Sequence, residues 1–525
     1  MAAGPARGFD AIVVGGGHNG LVAAGYLARA GLRVRLLERL DHVGGAAVSV
    51  RAFEGVDALL SRYAYLVSLL PQRIIDDLGA PVRLARRGYS SYTPDPATGG
   101  KTGLLIGPPA MGTFEAIGAA ADKPAFAEFY RRCRLVTERL WPTLTEPLRT
   151  RHEARRHVLG NADPGAAAAW HAMTEQPIGH AIANAVGHDL VGGVIATDAL
   201  IGTFARLEDQ SLQQNICFLY HLLGAGTGRW DVPIGGMGSV TTALAAAAIG
   251  YGAEIITGAD VYAVSPDGEV RYRHGGQEHL VHGRFVLAGV TPVVLARLLG
   301  DPPPPLAQGS QVKVNMLLRR LPRLRDNRVA PQQAFGGTFH VNEAWSQLQT
   351  AYSRAAAGCL PDPLPCEAYC HSVTDPSILS PRLRDLGAQA LTVFGLHTPH
   401  SVFSHSDPGS LRQQLTESVL ASLNSVLAEP IQNVLMADAH GQPCVETTTT
   451  VDLDRTLMMS NGNIFHGALS WPFADDDEPL DTPARRWGVA TGHERILLCG
   501  SAARRGGAVS GIGGHNAAMA VLASR

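Results

Sequence analysis

The feature that most constrains this chain is a strand, turn, helix and strand pattern close to its N-terminus. An apolar run at residues 11–14 leads into the glycine-rich residues 15–20, and a helical stretch at 21–30 ends at Gly31 before a second apolar run at 34–37. A Gly-x-Gly-x-x-Gly turn between a strand and a helix brings backbone N–H groups to a pyrophosphate. The pattern therefore predicts a βαβ dinucleotide-binding unit.

The residues of this turn have distinct predicted tasks. Gly15 allows the tight turn, Gly17 lets the backbone approach the pyrophosphate, and Gly20 lets the helix pack closely on the strand. His18 and Asn19 lie between these glycines and are predicted cofactor contacts.

An acidic residue and a glycine pair after the second strand indicate which dinucleotide binds. Glu38 occupies the position whose carboxylate accepts hydrogen bonds from ribose hydroxyls and repels a 2′-phosphate, which favours FAD or NAD over NADP. Arg39 follows directly, and Gly44, Gly45 and Ala46 come shortly after. Glycines here leave room where a side chain would collide with a flavin ring, so these residues favour FAD.

A second glycine-rich loop precedes a helix near the C-terminus. A predicted strand ends in Gly500 and Ser501, and a loop containing Gly511 and Ile512 leads into a predicted helix at 515–522. The N-terminus of such a helix stabilises negative charge, which on a reduced flavin develops at the N1–C2=O edge. We predict that these residues contact the cofactor from the other end of the chain.

Composition excludes several functional classes. The 525 residues carry a net charge of −2, which gives no field for nucleic acid. The seven cysteines are odd in number and lack the spacing of a disulfide framework or a zinc site, which favours a reducing, cytoplasmic compartment. No apolar run reaches 18 residues, so neither secretion nor membrane spanning is expected.

The predicted fold class is α/β, with a discontinuous Rossmann-type FAD-binding domain and an α+β substrate-binding domain that carries a helical insertion. Residues 1–70, 226–300 and 490–525 are assigned to the FAD-binding domain. Residues 71–225 and 301–489 are assigned to the substrate-binding domain.

Two strand patterns connect these domains to the site. The strand predicted at 259–264 returns to the cofactor sheet and places Val261 at the cofactor. Antiparallel strands at 312–318 and 390–396 are expected to form the floor of a substrate cavity.

Two polar clusters are weighed as further sites. His397, His400 and His405 lie close in sequence but have no regular ligand spacing, so no metal site is predicted. The basic run at 149–156 is interpreted as a solvated helix face. Peripheral contact with a membrane surface and assembly into a homo-oligomer stay open.

The motifs together resemble those of the phytoene desaturase-like FAD oxidoreductases of the amine oxidase superfamily, especially the branch named for a pyridine nucleotide-disulfide oxidoreductase domain. They follow the family's order at residues 15–20, 38–45, 61–70, 235–238, 462–467 and 499–518. The resemblance implies an amine oxidase-like fold with non-covalent FAD and removal of a hydride from a C–H bond.

Two segments depart from the family's pattern. Residues 504–508 read Arg-Arg-Gly-Gly-Ala in place of His-Pro-Gly-Gly-Gly, and residues 468–473 replace a Leu-Asp-Gln stretch. Both are expected where a substrate meets the flavin. We therefore expect a substrate other than a carotenoid, with a smaller or more polar molecule as the hypothesis.

His466 and Tyr65 are the candidate catalytic residues. An imidazole titrates near neutrality, so His466 is the acid/base candidate, and Tyr65 is a polar wall. The alternative is structural, with a histidine held in a turn and a core tyrosine. The glycines at 235–238 follow no apolar strand, so no second dinucleotide site is expected and the electron acceptor is O₂ or a quinone.

Three functions stay open from the sequence. The first is an FAD-dependent dehydrogenase or desaturase that acts on a small, lipophilic or specialised-metabolite substrate. The second is an FAD-dependent amine oxidase that produces hydrogen peroxide. The third is a non-catalytic flavin-binding redox sensor.

Overall fold

A computed structural model describes residues 8–107, 111–160, 163–404 and 407–525. The strands are β1 Phe9–Val14, β2 Val34–Leu37, β3 Ser49–Val50, β4 Leu60–Ser61, β5 Leu84–Ala85, β6 Ser91–Pro94, β7 Gly103–Gly107, β8 Met111–Gly112, β9 Val232–Pro233, β10 Glu254–Ile256, β11 Asp260–Val264, β12 Glu269–His274, β13 Gln277–Ala288, β14 Ser310–Leu318, β15 Thr338–Val341, β16 Cys366–Cys370, β17 Gln389–Pro399, β18 Val445–Thr448 and β19 Ile496–Leu498.

The α-helices of the same residues follow in chain order. They are α1 His18–Arg29, α2 Gln72–Leu78, α3 Asp122–Leu140, α4 Arg151–Leu159, α5 Gly165–Thr174, α6 Ile178–Ala185, α7 Asp189–Ala196, α8 Gln213–Leu223, α9 Met237–Gly250, α10 Pro292–Leu299, α11 Pro331–Ala334, α12 Trp345–Ala356, α13 His371–Thr374, α14 Pro381–Asp385, α15 Pro408–Val426, α16 Thr450–Leu457, α17 Pro483–Arg486 and α18 Ile512–Ala523.

The first sheet has a parallel centre. Its strand order is β10-β2-β1-β13-β12-β11, and β19 also pairs with β13. Strand β1 pairs in parallel with β2 and with the second half of β13, and the residues of β1 from Ala11 to Val14 are buried. Burial on both faces explains why this strand is a continuous apolar run. The sheet draws on both ends and the middle of the chain, and the α/β fold class is confirmed.

The second sheet is almost entirely antiparallel. Its order is β18-β14-β17-β16-β15-β6-β7-β8, and only the β15–β6 pair is parallel among the pairings described. The strands predicted at 312–318 and 390–396 lie in β14 and β17, where Val314 pairs with Val393. Leucine and valine side chains of α15, at four-residue spacing, pack against this sheet.

Helices α3 to α8 form the predicted helical region, which lies in sequence between strand β8 of the second sheet and strand β10 of the first. In α3, Phe129, Cys133, Val136 and Leu140 recur at helical spacing and are buried. Helix α4 begins at a capping box formed by Thr150. Of the basic run, Arg155 and Arg156 are exposed as predicted, whereas Arg151 is half-buried over the Trp471 ring. In the part of the chain that the structure describes, no helix is long and apolar enough to cross a membrane.

Helices α18 and α1 pack closely against each other beside the predicted cofactor site. Gly514 lies against the first turn of α1, and a Cβ atom added there would lie 1.9 Å from the carbonyl oxygen of Asn19. Helix α18 is buried on nearly every side from Ile512 to Ala518. The C-terminal helix is therefore fixed directly against the N-terminal βαβ unit with its glycine turn and Glu38, here called the cradle.

We predict that Gly514→Ala lowers the free energy of unfolding by about 1–3 kcal/mol, because the added methyl group forces α18 away from α1. Thermal and chemical unfolding measure the change. Gly250→Ala is the matched control, since Gly250 lies in α9 with nothing within 4 Å of an added Cβ. Equal stability of G514A and the wild-type protein would contradict this tight contact.

Candidate active site

The glycines of the N-terminal turn meet different surroundings. Gly15 has a φ of +101°, a conformation that favours glycine, and a Cβ on Gly20 would lie 2.1 Å from the Gly15 carbonyl oxygen. A Cβ on Gly17 would meet no atom within 4 Å. Gly20 is therefore required by packing, whereas Gly17 borders open space at the N-terminus of α1, where a phosphate can approach.

Glu38 holds the cradle together. One carboxylate oxygen accepts the N–H of Gly16 at 2.7 Å and the other accepts the N–H of Leu40 at 2.8 Å. Each oxygen has a second lone pair, so the same carboxylate can also accept a ribose hydroxyl. Glu38 thus has a structural task in addition to the predicted one.

The segment after β2 returns to the glycine turn. The N–H of Gly44 donates to the carbonyl oxygen of Gly16 at 2.8 Å, and Gly44 and Gly45 both have positive φ, +126° and +57°. A Cβ on Gly44 would lie 2.7 Å from the Val48 side chain, so its neighbours are protein atoms. Gly45 and Ala46, in contrast, line the cavity.

One continuous cavity of about 300 Å³ extends from the cradle to a group of aromatic side chains. Most of the predicted cofactor residues line it: Gly15, Gly17, His18, Asn19, Gly20, Glu38, Arg39, Gly45, Ala46, Val261, Gly500 and Ser501. Gly44, Gly511 and Ile512 do not line it. Gly511 instead adopts a φ of +70° at the start of α18 and packs against Val22.

The far end of the cavity is aromatic. Tyr65 packs between Tyr369 and Phe394, with ring centroids 4.4 and 4.6 Å away, and His221 stacks on Trp230 at 4.5 Å. Burial raises the pKa of Tyr65 well above its ordinary value, so this hydroxyl stays neutral. Tyr65 therefore forms part of the wall, as the sequence predicts.

His466 also lines the cavity, from a turn that follows α16. Its backbone N–H donates to the carbonyl oxygen of Asn463 at 3.0 Å, and its φ is +65°. Within the described residues, the buried Nδ1 atom has no hydrogen-bond partner. Burial, with a smaller effect from His18, lowers the pKa of His466 to about 4. At neutral pH the ring is uncharged and able to accept a proton.

Lys313 is a cavity residue that the sequence analysis missed. It lies within β14, and its Nζ atom donates to the carbonyl oxygens of Ser61 and Tyr63 at 2.6 and 2.7 Å. Burial lowers the pKa of this amine well below its ordinary value. A lysine between two valines of a predicted strand, in a chain with three lysines, is the signal that could have found it.

A polar group lies behind the aromatic wall. The Tyr369 hydroxyl donates to Glu367, and the Thr197 hydroxyl donates to the same carboxylate at 3.0 Å. Burial raises the pKa of Glu367 to about 7, and burial with the charge of Glu367 raises that of Asp198 to about 8. These residues come from distant segments, so sequence proximity gives no sign of them.

The structure corrects the expected position of the two arginines in the C-terminal loop. Arg505 is buried and donates to the carbonyl oxygens of Thr143, Glu146 and Trp487 at 2.9, 2.7 and 3.1 Å. Arg504 pairs with a glutamate of another loop. Neither arginine lines the cavity. Gly507 and Ala508 of the same segment do line it, as does Leu469 of the other departing segment.

The histidines weighed as metal ligands are not brought together. His397 is buried between aromatic rings, and His400 contacts the Thr450 hydroxyl at 3.1 Å. His405 lies outside the described residues.

Comparison with known protein families supports the dinucleotide-binding unit at the N-terminus. A family described as NAD(P)-binding Rossmann-like domain matches residues 13–72. This range contains the end of β1, all of α1 and β2, the glycine pair and the start of the aromatic wall.

Relatives match over nearly the whole chain. An uncharacterized protein of Mycobacterium tuberculosis is 73% identical over 523 residues, which cover 98% of this chain and 97% of that protein. Pyridine nucleotide-disulfide oxidoreductase domain-containing protein 2 of Rattus norvegicus is 28% identical, and the match covers 98% of this chain and 93% of that protein.

Solved structures show the same fold at low identity. Putrescine oxidase has a TM-score of 0.56 at 17% identity, covering 98% of this chain and 99% of that one. Cyclohexylamine oxidase from Brevibacterium oxydans has a TM-score of 0.56 at 13% identity, covering 98% of both chains. The chain therefore belongs to the family of the mycobacterial protein, is similar over nearly its whole length to pyridine nucleotide-disulfide oxidoreductase domain-containing protein 2, and has the fold of the two amine oxidases.

Proposed function

We propose that this protein is an FAD-dependent oxidoreductase that removes a hydride from a C–H bond of a small, lipophilic or specialised-metabolite substrate. The observation that carries the proposal is the continuous cavity that joins the dinucleotide cradle to the aromatic wall. When bound, FAD supplies a hydride acceptor and passes the electrons on. The protein supplies binding, orientation and exclusion of water.

The residues of the cavity fit FAD. Open space beside Gly17 leaves room for a pyrophosphate, and the buried Oδ1 of Asn19 has no hydrogen-bond partner in the described residues. The cavity continues past the cradle along Gly45, Gly500 and Ser501. A site limited to residues 13–72 would serve any dinucleotide, so this extension is what favours FAD over NAD.

The charge of the cavity wall supports an uncharged substrate. Its acidic lining residues are Glu38 and Asp260, and both lie at strand ends of the cradle sheet. At the aromatic end, the described lining contains Tyr65, Trp230 and Phe394 but no carboxylate. An ammonium group there would lack an ion-pair partner, which is costly in a desolvated site.

Two side chains with titratable nitrogens, His466 and Lys313, line this cavity. The free Nδ1 of His466 can accept the proton that leaves the oxidised substrate. Lys313 uses two of its N–H groups on backbone carbonyls, which leaves one position on the nitrogen for a water molecule. We assign His466 the role of proton acceptor and Lys313 that of orienting a water molecule.

An FAD-dependent amine oxidase that forms hydrogen peroxide is the second candidate. The fold shared with putrescine oxidase and cyclohexylamine oxidase favours it. Such a substrate would enter the aromatic end as the free amine.

The domain limits belong to the same proposal. Residues 1–70, 226–300 and 490–525 form the FAD-binding domain, and residues 71–225 and 301–489 form the substrate-binding domain. The first sheet supports this division because it takes strands from near both ends and from the middle of the chain.

We expect the purified protein to carry the visible absorbance of oxidised flavin and to bleach anaerobically with uncharged allylic or alcohol substrates. The test is a panel of such molecules beside a matched panel of amines. Stopped-flow reoxidation with O₂ and with a quinone, combined with a peroxide assay, then separates a dehydrogenase from an oxidase. Bleaching by amines alone would favour the second candidate, and absence of flavin binding would exclude both.

Glu38→Gln is expected to weaken FAD binding by about 10- to 100-fold. An amide has one acceptor oxygen for two backbone N–H groups, and an unmet buried N–H costs about 1–3 kcal/mol. Titration of the apoprotein with FAD measures the dissociation constant. Glu254→Gln is the control, because Glu254 is an exposed acid of the neighbouring strand β10. Unchanged affinity for FAD in E38Q would show that Glu38 does not contribute to FAD binding.

For the wild-type protein we predict that the rate of flavin reduction falls as the pH drops through about 4, rather than near 6.5. The reason is that the lowered pKa of His466 keeps its ring neutral, and active as a base, until that point. In His466→Asn this acidic limb of the pH profile should disappear, and the rate of flavin reduction should fall about 100-fold. His274→Asn is the control, because His274 is exposed and does not line the cavity, and it should keep both the acidic limb and the wild-type rate. A limb that persists in H466N would transfer the role to another group.

A further inference from the structure

A buried polar cluster lies outside the cavity, where the second sheet meets α7. His340 on β15 and Glu367 on β16 are register partners, so their side chains share one face of the sheet. Glu343 lies in the short connection between β15 and α12, and α7 packs against its backbone at Gly193. The three side chains have residual exposures of 4%, 2% and 1%, respectively for His340, Glu367 and Glu343.

The ligand-type atoms of this cluster converge. The Nδ1 atom of His340 is hydrogen-bonded to the Thr93 hydroxyl at 2.9 Å, which orients the ring and leaves Nε2 free. Nε2 lies 4.0 Å from a carboxylate oxygen of Glu367. One such atom from each of His340, Glu343 and Glu367 lies within 4.8 Å of the other two. In a tetrahedral zinc site with bonds of about 2.1 Å, two ligand atoms lie about 3.4 Å apart, so side-chain rotations that bring these atoms about 1 Å closer complete the site.

Glu343 is the observation that points to a ligand. Both oxygens of its carboxylate are buried, and neither has a hydrogen-bond partner among the described residues. Burying an unpartnered carboxylate is strongly unfavourable, so buried charges are paired or coordinate metals. An ionised Glu343 carboxylate therefore needs a positive partner, and the described side chains provide none.

Neighbouring cations do not fill this need. Among the described residues, no arginine or lysine nitrogen lies within 4 Å of the Glu343 or Glu367 carboxylate. Arg87 is the nearby arginine, and its guanidinium donates to the carbonyl oxygen of Trp230 and the Thr338 hydroxyl, each at 3.0 Å. Metal binding deprotonates its carboxylate ligands, so the two glutamates and one neutral imidazole would carry a charge of −2, which a divalent ion balances.

We propose that His340, Glu343 and Glu367 bind a divalent transition-metal ion, with zinc as the best match. Imidazole nitrogen and carboxylate oxygen are both zinc ligands, and three protein ligands leave a fourth position for water. The second carboxylate oxygen of Glu367 accepts from Tyr369, whose ring packs on Tyr65. The ion therefore fixes the back of the aromatic wall, whether or not the proposed oxidation is correct.

The test measures metal content and metal-dependent stability rather than turnover. We expect the protein, purified without chelator, to retain about one zinc ion per chain by elemental analysis, since three protein ligands define one site. After removal of metal with EDTA, added Zn²⁺ should restore the melting temperature, because a ligand of the folded state stabilises it. Parallel additions of Mn²⁺ and Mg²⁺ establish the preference for the ion.

Glu343→Gln keeps the shape of the side chain and removes its charge, and should weaken Zn²⁺ binding at least about 10-fold. Asp326→Asn is the matched control, since Asp326 is also a buried carboxylate but pairs with Arg328. If E343Q fails to fold, the metal content of the wild-type protein still tests whether the site binds a metal ion. A wild-type protein that retains no metal and is not stabilised by Zn²⁺ would overturn the proposal and indicate that protons neutralise the carboxylates.

Discussion

The contact between α1 and α18 is the constraint on which the site depends. Gly514 lies so close to the Asn19 carbonyl that only a hydrogen fits between the helices. With the helices held in this way, the carboxyl ends of β1, β13 and β19 meet at Gly15, Gly289 and Gly500, where backbone lies against backbone. Ligands of parallel α/β sheets bind at this edge. The cavity is therefore built on backbone packing.

Local sequence specified the elements of the cradle well. The predicted helix at 21–30 differs from α1 by a few residues because the glycine turn itself already has helical conformation from His18. The strands at 312–318 and 390–396 were predictable because apolar and β-branched residues predominate in both, and the two strands pair as expected. In each case one short segment contains the whole signal, as periodicity or as glycines in a turn.

The rest of the site depends on contacts between distant segments. Gly44 resembles a flavin-facing glycine in sequence, yet its neighbours are the backbone of Gly16 and the Val48 side chain. Arg505 occupies a loop beside the cavity, but its guanidinium turns towards carbonyls more than 350 residues earlier. Glu343 and Glu367 meet only because β15 and β16 pair. No single-segment pattern carries such information.

The buried guanidinium of Arg505 has a consequence for how the protein is made. It joins the C-terminal loop to carbonyls at Thr143 and Glu146, and β19 begins only at Ile496 of the 525 residues. During synthesis the first glycine turn leaves the ribosome long before these partners exist. The walls of the pocket therefore come together only after β19 and the Arg505 loop have been synthesised, so the glycine turn made first is completed by segments made hundreds of residues later.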